Sequence, residues 1–395
     1  LKRRNFLMEK IYKGKGNSKD YEHSLEFLNE VFFSDDDPED KRDFVTLLPK
    51  LYKEGCYHCE NNLIVSVDGK WKGAVGLYCN DMNVNGHEIK CAGIGNVAVA
   101  LDARGKGYMK ECMQMTMCDA VKSGADFAIL GGQRQRYAYF SFEPAGVSYK
   151  FSFNDRNLEH VFGLDYNSGL ETVKVTESAD DALDFIEEAY NKNSLKFIRD
   201  RAKLFDILSS WRQTAYAFKR GEKFVGYCVF NHENDYVAEV KAADKTEFKN
   251  MLPDILKVSG QERITFNIPA FETDYVECLS DICEGFHLEH CAMMSVLNWK
   301  KFISAAFDLQ AAYKRLCDGK ASFIVHGYKK DEAFTVTVKD NKVSVTDGAE
   351  DAIELTHREA MHLFLGLYSP KRAKLDANTA QWFPLEFSVL DTDKV

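Results

Sequence analysis

Residues 96–110 read NVAVALDARGKGYMK, and this stretch decides the fold. Val97, Val99 and Leu101 alternate with small or polar residues, which is the period-two pattern of a half-buried strand. From Tyr108 onward, apolar residues recur at three- and four-residue spacing, so the pattern predicts an amphipathic helix with one face towards a core. A strand, a tight turn and a helix are therefore expected in immediate succession.

The turn between this strand and this helix has the composition of an anion site. Gly105 and Gly107 have no Cβ, so the main chain can approach a ligand closely. The first N–H groups of a helix have no partner within it and lie at the positive end of its dipole. Arg104, Lys106 and Lys110 add positive charge. A purely structural turn is the alternative, because the stretch matches neither the P-loop motif nor the G-x-G-x-x-G dinucleotide motif.

The segment that follows the helix favours the anion-site interpretation of the turn over a purely structural one. Residues 126–130, DFAIL, predict a second short strand that Gly131 and Gly132 end. Tyr137 then precedes a Ser141-Phe142 pair by four residues.

Together these residues resemble the GNAT acetyltransferase superfamily. Its central motif, a strand followed by Q/R-x-x-G-x-G/A, is matched by Arg104 and Gly107. Its later motif, aromatic-Tyr-x-x-x-Gly-Phe, is matched by Tyr137 and Phe142, with Ser141 in the glycine place.

A large apolar residue in the last place of the central motif makes the chain similar to the enhanced intracellular survival (Eis) group of that superfamily. Met109 stands there, and the V-A-V-A run at residues 97–100 precedes the turn as it does in that group. The resemblance implies an α/β (α+β) fold with tandem GNAT folds, the second degenerate, and then a sterol-carrier-protein-like α+β domain. A chain of 395 residues can hold two or three cores.

The chain can be divided accordingly. We expect an active GNAT domain at residues 1–148, a degenerate second GNAT-like domain at 149–300 and a sterol-carrier-like domain at 301–395, whose tail returns to the active site. The middle region has a predicted helix at 180–190 and a hairpin, but no Arg-x-x-Gly turn, so an unrelated α/β domain is its alternative. In the last region, Thr356 and Glu359 form a predicted capping box, and helices are expected at 302–316 and 356–368.

The resemblance implies acetyl-CoA as co-substrate and no metal. In that family the main chain of the strand pairs with the pantetheine arm, the turn cradles the pyrophosphate, and the end of the next strand also touches the cofactor. The residues assigned by matched position are Val97, Ala98, Val99, Arg104, Gly105, Lys106, Gly107, Tyr108, Met109, Lys110, Gly132 and Gln133.

Two groups are expected to carry the chemistry of N-acetyl transfer. Tyr137 would be the general acid, because a phenol has a free pKa of about 10, close to that of the leaving thiol. Its alternative is to be one of 18 tyrosines that pack a core.

The base would be the α-carboxylate of Val395, since the tail, with Phe383-Pro384-Leu385 and a terminal Asp-Lys-Val, resembles the Eis tail. That family more often ends in an aromatic residue. Burial must raise the free carboxyl pKa of about 3.5 for this role. Residues 93–96 contain no acidic residue that could act instead.

The amine acceptor is expected to be cationic, a polyamine, an aminoglycoside-like molecule or a lysine side chain, because the net charge is −10. The same charge argues against nucleic acid. The acidic run at residues 34–40 falls between two predicted helices, where GNAT folds place the acceptor. Its candidate residues are Phe33, Asp35, Asp36 and Asp37, with a solvated loop as the alternative.

Eleven cysteines without framework spacing, no signal peptide and no membrane-length apolar run predict a cytoplasmic protein that does not bind membrane. Neither Cys56-x-x-Cys59 nor the cysteines and histidines of residues 278–291 have two clean zinc-ligand pairs. The resemblance implies a homo-oligomer, with a hexamer as one candidate. The alternative functions are a catalytically inactive acyl-CoA- or lipid-binding scaffold and an acyltransferase that prefers longer acyl chains.

Overall fold

The computed structural model describes residues 9–34, 42–164 and 166–395. These residues form nineteen strands in three sheets, together with thirteen α-helices. The strands are β1 (Ile11–Lys15), β2 (Asn62–Val67), β3 (Lys70–Val84), β4 (His87–Val99), β5 (Phe127–Leu130), β6 (Glu143–Ala145), β7 (Ser148–Asn154), β8 (Glu171–Lys174), β9 (Leu195–Phe197), β10 (Thr214–Arg220), β11 (Lys223–Phe230), β12 (Tyr236–Ala242), β13 (Arg263–Pro269), β14 (Phe286–Glu289), β15 (Ala292–Val296), β16 (Gly319–His326), β17 (Asp331–Lys339), β18 (Lys342–Asp347) and β19 (Ile353–Thr356).

The helices are α1 (Tyr21–Phe33), α2 (Phe44–Leu47), α3 (Pro49–Tyr52), α4 (Tyr108–Lys122), α5 (Arg134–Tyr137), α6 (Asp155–Phe162), α7 (Asp180–Tyr190), α8 (Leu204–Ser209), α9 (Lys245–Ser259), α10 (Thr273–Ile282), α11 (Trp299–Tyr313), α12 (His357–Phe364) and α13 (Ala377–Ala380).

The first sheet has the order β1-β2-β3-β4-β5-β15-β6, with β9 beside β3. Strands β4 and β5 are parallel, and α4 connects them. The helix buries Cys112, Met113 and Met117 completely in the core beneath the sheet. The strand, turn and helix expected from residues 96–110 are therefore present, but the strand ends at Val99, and Leu101, expected within it, is exposed at the start of a 3-10 turn.

The second sheet, in the order β14-β7-β13-β12-β11-β10-β8, repeats this plan. Strands β10, β11 and β12 are antiparallel neighbours, α9 follows, and β13 returns parallel to β12. The first sheet has the same succession in β2, β3, β4, α4 and β5. Two similar α/β units thus follow one another along the chain.

The two units exchange strands. After β6 the chain crosses to the second sheet, where β7 lies between β13 and β14. In return, β15 lies between β5 and β6 in the first sheet. The predicted boundaries at residues 148 and 300 stay predictions, and neither of these two sheets is built from one continuous segment.

The third sheet, in the order β18-β17-β16-β19, packs with α11 and α12 in a core that also contains the C-terminal tail. Trp382 and Phe387 of the tail are buried, and the amide of Gln310 donates to the main-chain oxygen of Trp382 over 2.7 Å. The capping box of Thr356 and Glu359 is present at the start of α12. Helix α11 ends at residue 313 and α12 at 364, each earlier than predicted. The sterol-carrier likeness of this region stays a prediction.

Candidate active site

Strands β4 and β5 separate in the middle of the first sheet. Their parallel pairing runs from Cys91 opposite Phe127 to Ile94 opposite Leu130 and then stops. Strand β4 continues to Val99, and no described strand pairs with residues 95–99 on the side that faces β5. Main-chain donors and acceptors along this edge can therefore pair with an extended ligand in the gap.

A bulge shapes β4 at the start of this gap. Asn96 has a φ of +40°, and Asn96 and Val97 together oppose the single residue Val75 of β3. The Asn96 side chain donates to Asn62 Oδ1 over 2.7 Å and accepts from Tyr78 Oη at 3.3 Å. These hydrogen bonds fix the bend, because they bind the bulge to strands β2 and β3.

The turn after β4 is open towards solvent. Gly105 and Gly107 have φ values of +80° and +83°, which disfavour any residue with a Cβ, although no heavy atom lies within 4 Å of either Cβ position. Gly107 is the N-cap of α4, and no side chain caps this end of the helix. Arg104 and Lys106 are exposed beside it. The uncapped N–H groups and the positive charge suit a phosphate group.

The next three residues of the predicted pyrophosphate site differ in how deeply they are buried. Tyr108 is buried, and its Cβ lies 3.1 Å from the Cβ position of Gly73 on β3. Met109 is partly buried, whereas Lys110 is exposed with its Nζ 4.6 Å from the centre of the Tyr139 ring. Tyr108 therefore packs against β3 at the start of α4.

Tyr137 lies in the short helix α5 and is 5% exposed. Its ring packs against Gly132, where a Cβ would lie 2.8 Å from Tyr137 Cε2. Burial raises the pKa of the phenol above its ordinary value, and Arg136 partly offsets that rise. Gln133 is exposed at the N-cap of α5. Gly132 and Gln133 thus lie at the end of β5, beside the predicted acid.

The C-terminus lies against β4 where the strands separate. A Cβ at Gly93 would be 2.8 Å from Val395 Cγ2, and one at Gly95 would be 3.7 Å from the same atom. The tail crosses this point with Lys50 beside it, whose ammonium donates to the main-chain oxygens of Thr392 and Lys394 at 2.8 Å and 2.5 Å. Burial lowers the pKa of Lys50 to about 8, against the opposing effect of Asp393.

A buried ion cluster holds the residues just before the C-terminus. Arg199 Nε lies 2.8 Å from Asp393 Oδ1, and Arg199 Nη2 lies 2.6 Å from Glu239 Oε2, with all three side chains at most 5% exposed. Tyr190 donates to Asp393 over 2.9 Å, and Thr392 donates to Glu239. Burial alone would raise the pKa of Glu239, but Arg199 brings it below the ordinary value. The carboxylate of Glu239 is therefore ionised.

Sequence reasoning did not find this cluster. Its members come from the second unit and from the tail, separated by up to 203 residues for a pair in contact. A single Arg and a single Glu form no local sequence motif, so the sequence does not indicate that they pair.

Two cavities meet at Val395, which lines both. One, of 790 Å³, also includes Lys50, Tyr78 and Arg199. The other, of 560 Å³, lies between the end of β5 and the second unit. Its lining consists of Ile129, Leu130, Gly131, Gly132, Pro144, Trp211, Gln213, Asn231, Tyr236, Ala238, His290, Cys291, Ala292, Met293, Asp391, Lys394 and Val395. Gly132 belongs to that lining, and Tyr137 stands behind it.

The predicted acceptor residues lie apart from these cavities or beyond the described chain. Phe33 is partly buried, packs against Phe44 at a ring-centre distance of 5.3 Å and lines neither cavity. Asp35, Asp36 and Asp37 lie outside the described residues. Trp211, Gln213 and other residues of the second unit line the same cavity as Val395.

The described residues contain no group of three or more His, Cys, Asp or Glu side chains that could hold a metal ion. All eleven cysteines are free. Within the described ranges, no helix has the length and apolar character needed to cross a membrane.

The sequence of the first unit, in which β4 and β5 separate, matches a known protein family. A family model described as an acetyltransferase (GNAT) domain matches residues 15–145. These residues are a GNAT domain. The GNAT domain contains every cofactor residue assigned above and Tyr137. A search of curated protein sequences returns no match.

Solved structures extend the likeness beyond the GNAT domain. A probable N-acyltransferase from Enterococcus faecalis V583 is 16% identical, with a TM-score of 0.67, over 97% of this chain and 98% of that chain. A GCN5-related N-acetyltransferase from Kribbella flavida is 15% identical, with a TM-score of 0.65, over 98% and 99%. Eis1 from Mycobacterium abscessus is 13% identical, with a TM-score of 0.54, over 89% and 87%.

At these identities the structural likeness concerns the fold. The fold of the chain is similar to that of Eis1 and of the probable N-acyltransferase, and residues 15–145 match the GNAT domain, which confirms the predicted resemblance and the α/β class. The prediction of an acyltransferase enzyme is confirmed at the level of the family, whose co-substrate is an acyl-CoA and whose acceptor is an amine.

Proposed function

We propose that this protein transfers the acetyl group of acetyl-CoA to a primary amine by direct attack, without a metal. The separation of β4 and β5 beside an uncapped helix N-terminus is the observation that carries the proposal. The pantetheine arm would pair with Val97, Ala98 and Val99 along the unpaired edge of β4, and the pyrophosphate would lie on the turn from Arg104 to Lys110.

The bulge at Asn96 supports the position of the reaction. A bulge turns main-chain groups out of the regular ladder, so a thioester in the gap can meet N–H donors that polarise its carbonyl. Such donors stabilise the oxyanion that forms when the amine attacks.

The α-carboxylate of Val395 is the proposed base. Its residue borders both cavities and packs on Gly93 at the point of separation, which supports access to an amine in either cavity. The carboxylate takes the proton from the ammonium of the acceptor, and the neutral amine then attacks the thioester. Lys50 and Arg199 keep the tail in place, so the base does not depend on a disordered terminus.

Tyr137 is the proposed acid. It stands behind Gly132, so a small displacement of the glycine turn or of the ring brings the phenol to the leaving thiolate. Its raised pKa keeps the proton on the oxygen at neutral pH, as a general acid requires.

A cationic acceptor is the proposed second substrate, supported by the net charge of −10. Trp211, which is 39% exposed and lines the 560 Å³ cavity, would offer an aromatic ring to an ammonium group. The resemblance also leads us to propose a cytoplasmic homo-oligomer.

The decisive experiment follows free thiol released from acetyl-CoA in the presence of a panel of amines and neutral acceptors. We expect release with primary amines, and a large loss when residues 394–395 are deleted. Acetyl-CoA binding without release for any amine would favour the scaffold alternative. Faster release from longer acyl-CoAs would favour the acyltransferase alternative. If deletion of residues 394–395 left the rate of thiol release unchanged, the tail would have no role in the mechanism.

A further inference from the structure

A buried carboxylate at the start of β6 meets basic side chains from two parts of the chain. The Glu143 side chain is 3% exposed. Its Oε2 atom accepts from Arg134 Nε over 2.9 Å, and Arg134 Nη2 lies 2.7 Å from the same oxygen. Arg358 Nε lies 3.1 Å from Oε1, and His362 Nε2 lies 3.1 Å from Oε2. Three basic side chains thus converge on one carboxylate.

Arg134 connects this carboxylate to the proposed acid. It is the first residue of α5, and Tyr137 is the last. The N–H of Tyr137 donates to the main-chain oxygen of Gln133 over 3.3 Å, and the N–H of Phe142 donates to that of Tyr137 over 3.2 Å. These hydrogen bonds make residues 133–142 one compact turn. A helix of four residues is not stable by itself, so the position of the turn depends on tertiary contacts such as the ion pair of Arg134.

Arg358 and His362 connect the same carboxylate to a firm support. They lie four residues apart on α12 and therefore on the same face of this helix. The helix begins at the capping box of Thr356 and Glu359, contacts β6 and buries Met361 in the core of the third sheet. Because α12 is fixed both at its cap and along its apolar face, it can hold Glu143 in one place.

The turn that carries Tyr137 needs such support for a second reason. Ser141 occupies the place where the GNAT motif has a glycine, and its φ is +67°. A residue with a Cβ is strained in this left-handed conformation, and such strain persists only where the surrounding structure enforces it. Glu143 follows Ser141 by two residues. Its ion pairs are therefore well placed to enforce the conformation of the turn.

We infer that Glu143 is a positioning residue for Tyr137. Through Arg134 it holds the turn that carries the acid, and through Arg358 and His362 it fixes that turn to α12 and the core of the third sheet. This inference rests on the proposed function and adds to it a residue that acts through the acid. The third sheet and its helices then contribute to the reaction without contacting either substrate.

Hydrogen–deuterium exchange tests the anchoring without any turnover. Glu143→Gln keeps the size of the side chain but weakens its pairing with all three basic groups. We expect faster amide exchange in peptides that cover residues 133–142. The matched control is Asp126→Asn, because Asp126 is also a buried carboxylate, lies just before β5 and pairs with Lys301 of α11 over 2.8 Å. This control should leave the exchange of residues 133–142 unchanged.

Kinetics test the effect on the acid. We expect Glu143→Gln to lower kcat about tenfold and to leave the KM for acetyl-CoA unchanged, because a misplaced acid slows the chemical step and not cofactor binding. Asp126→Asn should keep the wild-type kcat. A variant that combines Arg358→Met with His362→Gln should lower kcat about threefold, although both residues lie on α12 and outside the GNAT domain.

A double variant decides whether Glu143 acts through the acid. The kcat of Tyr137→Phe combined with Glu143→Gln should equal that of Tyr137→Phe within about twofold, whereas independent effects would multiply. Multiplied losses, an unchanged kcat in Glu143→Gln, a raised KM as its only effect, or unchanged exchange of residues 133–142 would overturn the inference.

Failure of the proposed function would give different results. Wild-type protein would then release no thiol from acetyl-CoA with any amine, or Tyr137→Phe alone would retain full transfer. In either case the exchange experiment would still show whether Glu143 anchors the turn.

Discussion

The ammonium of Lys50 donates a 2.5 Å hydrogen bond to the main-chain oxygen of Lys394, 344 residues later in the chain. One buried cation of the first unit thereby holds the residue that precedes the C-terminus. Arg199 of the second unit binds Asp393 from another direction. The residues just before the C-terminus are therefore held by two units at once.

The burial of Lys50 predicts a particular pH dependence of stability. The pKa of Lys50 is about 8 in the folded protein, whereas the ordinary pKa of a lysine side chain is 10.5. Between these two values the unfolded chain retains the proton that the folded chain has lost. The contribution of Lys50 to the free energy of unfolding should therefore rise with pH in this window, by at most about 1.4 kcal/mol per pH unit.

Urea unfolding of wild type and Lys50→Met at about pH 7 and about pH 9.5 measures this contribution as a difference between the two proteins. We expect wild type to gain stability relative to the variant at the higher pH. A difference that is constant or that shrinks would contradict the buried position of Lys50.

Tyr137→Phe should lower kcat by about a hundredfold, because the leaving thiolate loses its proton donor. Acetyl-CoA binding should persist, since the phenol is not among the cofactor contacts. The matched control is Tyr139→Phe, two residues later, where the side chain is 63% exposed and the ring over Lys110 is retained. Full transfer by Tyr137→Phe at every pH would show that the residue only packs the core.

Gly107→Ala should raise the KM for acetyl-CoA and destabilise the fold by about 1 kcal/mol, because the new Cβ opposes a φ of +83° at the start of α4. Gly348→Ala is the control, with a φ of +88° and equally open surroundings near the third sheet. The two variants should lose similar stability in denaturant titrations. Only Gly107→Ala should change the KM for acetyl-CoA. A similar change of KM in Gly348→Ala would mean that the lower stability, and not the position of the glycine, causes it.

Arg199→Met should cost about 3–5 kcal/mol of stability, because it leaves Glu239 and Asp393 buried without a cation. Arg201→Met, two residues later, removes a pair to the largely exposed Asp184 and should cost at most about 1 kcal/mol. Chemical denaturation of the two variants gives the comparison. Equal losses would mean that the ion cluster does not anchor the tail in solution.

Local patterns were sufficient to predict the elements of the proposed cofactor site. The alternation before residue 100, the glycines of the turn and the apolar spacing from Tyr108 predicted β4, the open turn and α4, because each of these depends on neighbours in sequence. The capping box at Thr356 was predicted for the same reason. The ends of α11 and α12 were placed too late, since an apolar pattern can continue after the helical hydrogen bonds stop.

The sequence by itself determined the strand, the open glycine turn, the helix and the resemblance to Eis-like GNAT proteins. Only the tertiary structure decided that β7 and β15 are exchanged, that Arg199 and Lys50 hold the tail, and that Val395 lines one cavity together with residues of the second unit. Those contacts join residues far apart in the chain. Their energies come from burial and charge pairing in the assembled core, which leave no periodic signal in the sequence.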